Sequence, residues 1–168
     1  YVSSNGFITF GAAPASNVHD PLSSNAGYAG AISAFGADIE SRSGFNTHDV
    51  SWELVGNEVV VQWRNARRQN ENEWFNVQIR LNTSTNEIRC VYGPRSTPDS
   101  ATGNPPEVGL RGPNNSFSTN VNNRRVGTGS ENWNTSLAGT ANNSTCRYTS
   151  SGSPDKVWSE GLTYSWTL

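Results

Sequence analysis

Two stretches of period-two alternation constrain this chain most. In "DVSWELVGNEVVVQWRN", Val50, Trp52 and Leu54 alternate with Ser51 and Glu53, Gly56-Asn57 interrupts, and Val59 to Trp63 returns. In "WFNVQIRLNTSTNEIRCVYG", Phe75, Val77, Ile79 and Leu81 fall on one side, with Asn76, Gln78 and Arg80 on the other. Successive side chains of an extended strand point to opposite faces. The pattern therefore predicts two β-hairpins, each with one buried and one wet face. Gly and Asn at the first turn accept the positive φ that a tight hairpin loop requires. Trp52, Trp63 and Trp166, flanked by polar residues, are expected in the core.

Shorter strand signals accompany them. "YVSSNGFITFG" reads as a hairpin, Tyr1 to Ser4 and Phe7 to Phe10 about an Asn5-Gly6 turn. "GYAGAISAFGADIES" predicts a buried strand around Ala31 to Phe35, and "EVGLRG" a short one around Val108 and Leu110. "LTYSWTL" closes the chain with Leu162, Tyr164, Trp166 and Leu168 on one side. Polar loops are expected at 95–106, from Pro113 to Ser116, and from Gly127 to Thr145. Strands, hairpins and no helical stripe predict an all-β antiparallel β-sandwich, jelly-roll or Ig-like, with long polar loops. The whole chain, 1–168, is expected to be a single domain, with no repeat or linker to divide it.

Composition narrows the function. The 168 residues carry a net charge of −2 with few charged side chains, which argues against electrostatic capture of nucleic acid. No apolar run approaches the length of roughly 20 residues needed to span a membrane as a helix. Asn, Ser, Thr, Gly and Pro are abundant, Lys occurs only as Lys156, and Met is absent, so the chain is expected to be processed or a fragment. This is the profile of an extracellular module. Six Trp and clean alternation oppose the alternative of disorder. Cys90 and Cys146 fit neither a zinc nor a redox spacing. They are expected to pair as one disulfide, the alternative being two buried thiols.

Catalytic constellations are missing from the sequence. His19 and His48 each precede an Asp, but neighbours on a strand face opposite sides, so His19-Asp20 and His48-Asp49 make no dyad by spacing. The chain is expected not to be an enzyme. Asp38 and Glu40, two apart in "GADIES", would share one side of a strand. They are the candidates for a metal, Ca²⁺ if any, or for a glycosidase pair. Trp133, Trp158 and Trp74, at strand starts or in loops, are the candidates for stacking on a sugar. The doublets Arg67-Arg68 and Arg124-Arg125 are expected at solvated positions, where an acidic glycan could meet them. The Asn-X-Ser/Thr triplets at Asn82, Asn114, Asn134 and Asn143 matter only in a host with N-glycosylation.

Taken together, "YVSSNGFITFG", "AISAFGADIE", "NVQIRLNTSTNEIRCVYG", "EVGLRGPNNSF", "NWNTSLAGTANNSTC" and "GLTYSWTL" follow one another in a familiar order. The chain resembles the β-sandwich surface or adhesin-like modules of large secreted proteins of Bacteroidetes-type bacteria, commonly exported by the type IX route. The resemblance implies a structural or adhesion role at the cell surface and transfers no catalytic residues. Its partners would be a surface or matrix protein or a glycan. It also implies that Asp99-Ser100-Ala101 resembles an O-glycan acceptor, with Ser100 the modified residue. One or two further strands would precede "VSSNG" in such modules. Either the chain is then a trimmed piece of a longer polypeptide, or a neighbour donates the missing strand, as in a filament. In both cases Tyr1–Ser4 should lie at a strand edge.

Overall fold

The computed structural model describes residues 1–24, 26–41, 49–96 and 106–112, and the backbone of 163–167. These residues form ten strands and no helix: β1 (Val2–Ser3), β2 (Phe7–Phe10), β3 (Gly30–Gly36), β4 (Ile39–Ser41), β5 (Asp49–Val55), β6 (Glu58–Arg68), β7 (Phe75–Asn82), β8 (Glu87–Arg95), β9 (Glu107–Arg111) and β10 (Thr163–Thr167). One sheet has the order β1-β2-β3-β9. The other runs β10-β8-β7-β6, and both β4 and β5 pair with β6. All pairings are antiparallel. The fold is a β-sandwich.

Both predicted hairpins form. Val55 pairs with Glu58 across Gly56-Asn57, and Gly56 takes φ +60°. Val77, Ile79, Ile88, Cys90 and Tyr92 line the inner face of β7 and β8, meeting Ile8, Ile32, Val108 and Leu110 of the other sheet. Trp63 is fully buried among them. The Phe35 and Phe75 rings meet at 4.2 Å between centroids. Two polar ties cross the layers: Tyr92 Oη donates to Ala34 O at 2.8 Å, and Trp63 Nε1 donates to Ser3 O at 2.9 Å. A buried N–H or O–H needs such a partner, so these two bonds also fix which strands lie opposite each other.

The edge of β6 opposite β7 is shared end to end. β5 covers Glu58 to Arg64 and β4 covers Ala66 to Arg68. β10 joins β8, at the far side of that sheet from β5. β10 therefore does not cover β1, and among the described residues β1 ends its own sheet, as the sequence predicted for Tyr1–Ser4.

Candidate interaction surface

The core-facing pattern runs further than the core does. Val50, Trp52 and Leu54 pair with Trp63, Val61 and Val59, which places all three on the inner face. Yet Trp52 is 70% exposed and Leu54 61%. Trp52 is thus not the core residue that its alternation suggested. The face follows from the period, but whether the opposite sheet reaches that far does not. In the other sheet Val2 pairs with Ile8, again on the inner face, and Tyr1, Val2 and Phe10 are exposed. The Trp63–Ser3 bond sets β1 over the β6 end of the facing sheet, so the two terminal strands open on the same side. Exposed apolar side chains on unpaired edge strands are a template for another chain.

The outer face of β6, β7 and β8 is mostly polar. Gln78 Nε2 donates to Gln62 Oε1 at 2.6 Å, and Arg80 donates twice to Gln78 Oε1, at 2.9 and 2.7 Å. Glu58 ties down Arg80 and Arg89. Beside this ladder lies an open depression of about 430 Å³, lined by Gln62, Arg64, Asn76, Gln78, Val91 and Pro94 among others.

The other sheet hides a cluster that its sequence did not announce. Val108 and Leu110 of β9 face the core, so Glu107 and Arg111 face outward, yet both are buried. Residues 21–23 and 26–28 lie against them. Glu107 accepts from Leu22 N at 2.6 Å, Ser23 N at 3.2 Å and the Ser23 hydroxyl. Arg111 donates to Pro21 O at 3.3 Å and Ala26 O at 2.7 Å, and its guanidinium lies 4.3 Å from the Tyr28 ring centroid. Tyr28 donates to Pro21 O. Burial pushes the Glu107 carboxyl above its ordinary value, opposed by its bonds to Ser23 and Leu22, and burial likewise raises Tyr28. With every carboxylate donor coming from the covering loop, this cluster is a clasp that holds the loop down.

The candidates from the sequence are dispersed. Glu40 holds Arg67 Nη2 at 2.9 Å and Asn70 N at 3.0 Å, while Asp38 is exposed just before β4. Among the described residues no three His, Cys, Asp or Glu side chains gather to hold a metal. Trp74 is half-buried at the start of β7, its backbone bonded to Ser96. Cys90 is buried against Ser33 O at 3.8 Å, and burial pushes its thiol pKa up. Among the described residues Cys90 is in no disulfide. Cys146, Trp133, Trp158, Ser100, His48 and Arg124-Arg125 lie outside the described residues. His19 rests in the covering loop with Nδ1 3.1 Å from Asn17 O. Arg67 and Arg68 are not a solvated tip. Arg68 is buried and forks onto Glu73 at 2.5 and 3.0 Å, because the end of β6 needs its charge neutralised inside.

Comparison with known families decides the broader class. Residues 1–151 match the model of the NIDO-related family. The chain belongs to the NIDO-related family. This is a nidogen-like family of extracellular type. No curated protein and no solved structure matches the chain. Among the described residues of this NIDO-related chain, no helix is long and apolar enough to cross a membrane.

Proposed function

We propose that this NIDO-related chain is a non-enzymatic structural or adhesion module of the cell surface. Its working surface is the open side of the sandwich, where β1 and β5 end their sheets. The observation that carries the reading is the exposure of Val2, Trp52 and Leu54 on strand faces that belong to the core. An apolar stripe at an unpaired edge suits contact with another polypeptide, including a strand donated to β1 in a filament. Labelling intact cells of the source organism with an antibody to the module tests its placement. Labelling without permeabilisation is expected, and labelling only after permeabilisation would contradict it. Polymers seen by negative-stain microscopy would favour the filament form of the reading, and their absence the modular adhesin.

A second reading is glycan binding. It is favoured by the depression beside the Gln62–Gln78 ladder, which amide and guanidinium groups line together with Val91 and Pro94. That mix of polar groups and apolar floor suits a sugar ring. Binding on a glycan array that is lost in Gln62→Ala would support it, and an array without signal would end it.

A further inference from the structure

We propose that two copies of this chain associate through antiparallel β5–β5 pairing about a two-fold axis at Trp52, joining the two β5-bearing sheets into one. The β5 backbone has β6 on one side only, and among the described residues nothing occupies the other. Of its inner-face residues, Val50 packs against the core, while Trp52 is 70% exposed and Leu54 61%. The edge is seven residues long, enough for a full ladder.

The sequence of the strand selects the partner and the register. Residues directly opposite in an antiparallel pair share a face. With Trp52 on the two-fold, Trp52 meets Trp52, Val50 of one copy meets Leu54 of the other, Ser51 meets Glu53, and Asp49 meets Val55. The apolar stripe becomes continuous across the axis and no like charges face each other. A two-fold at Ser51 sets Asp49 opposite Glu53, and one at Glu53 sets Glu53 opposite itself. Both place carboxylates against each other, which is unfavourable. A two-fold between residues brings the apolar face of one strand against the polar face of the other. Only the Trp52-centred register pairs all seven residues of each strand with like faces together. An isologous contact of this kind closes at two copies. The inference rests on the proposed reading of the open side as an interaction surface and names a second copy as the partner of β5; a monomer would overturn it and leave the cell-surface labelling unchanged.

Analytical ultracentrifugation over a wide range of protein concentration tests it. The wild-type chain is expected to pass from monomer to dimer. Trp52→Lys, at a side chain already in solvent, sets two ammonium groups across the axis and should raise the dissociation concentration by roughly tenfold or more. Ser51→Lys places an ammonium opposite Glu53 of the other copy on both sides of the axis and should lower it. Trp52→Cys should oxidise to a covalent dimer, because its thiols meet at the axis, while Glu53→Cys, two positions out of register with its own copy, should not. A wild-type monomer at every concentration would overturn the proposal and leave the edge to another occupant. So would a dimer indifferent to Trp52→Lys, or equal crosslinking at the two cysteine positions.

Discussion

Gly6 shows how narrowly one residue can be determined. It takes φ +81° in the β1–β2 turn, and a Cβ there would stand 2.1 Å from Phe35 O. Its own carbonyl receives Ala34 N and Phe35 N, both at 3.1 Å, so the turn cannot shift away without losing both bonds. Gly6→Ala should cost about 2 kcal/mol or more, read as a lower urea midpoint with unchanged slope. Glu107 acts through its protonation state. Burial raises its carboxyl above the ordinary 4.5, so the folded chain holds the proton more tightly than the unfolded one. Its favourable contribution is therefore full below the ordinary carboxylate range and is lost as pH rises through the folded value. Asp20 pushes in the same direction, while the bonds from Ser23 and Leu22 push against it. Glu107→Gln, which keeps an acceptor for the loop without the charge, should gain on wild type as pH rises from acid toward neutrality. Thermal melts of both proteins across that range check the sign. A stability difference that stays constant across that range would show the carboxylate to be as well solvated in the folded chain as in the unfolded one.

At the scale of elements, local pattern and distant contact separate what a sequence can tell. The β5–β6 and β7–β8 hairpins were legible because period, turn residues and length all lie within twenty-odd residues of chain. The inward set Val77, Ile79, Trp63 follows from them directly. The clasp was not legible, because Glu107 and Arg111 in "EVGLRG" carry no local mark of burial. Their cover comes from Leu22 and Ser23, some eighty residues earlier in the chain. The end-to-end sharing of the β6 edge by β4 and β5 is hidden for the same reason, since pairing partners are not local. Trp52 is the opposite failure. Its alternation gave the right face and the wrong degree of burial, because the length of the facing sheet lies outside the strand. β1 pairs with β2 in its own sheet, and the bond from Trp63 Nε1 to Ser3 O ties it to the facing sheet. Trp63→Phe removes that donor and leaves a small void, which together should cost about 1–3 kcal/mol. Amide exchange at Thr9, whose N–H reaches Tyr1 O at 2.9 Å, should quicken more than exchange in β7. Equal acceleration throughout would mean that Trp63 supports the core as a whole and β1 no more than the rest.

For the whole molecule, the NIDO-related match over residues 1–151 and the two-layer sandwich fit an extracellular-type module. The molecule divides its surfaces unequally. Among the described residues, one outer face is covered by the clasped loop, the other is a polar sheet with an open depression, and one side leaves core-type residues exposed. Stability would be better served by covering Trp52 and Leu54, so their exposure is the feature that most needs a partner to explain it. Hydrogen exchange of β5 at low and high protein concentration measures this most directly. The account predicts that amides within Asp49–Val55 pointing away from β6 slow as concentration rises, while those of β7 and β8 stay constant. Exchange in β5 that is indifferent to concentration would contradict it.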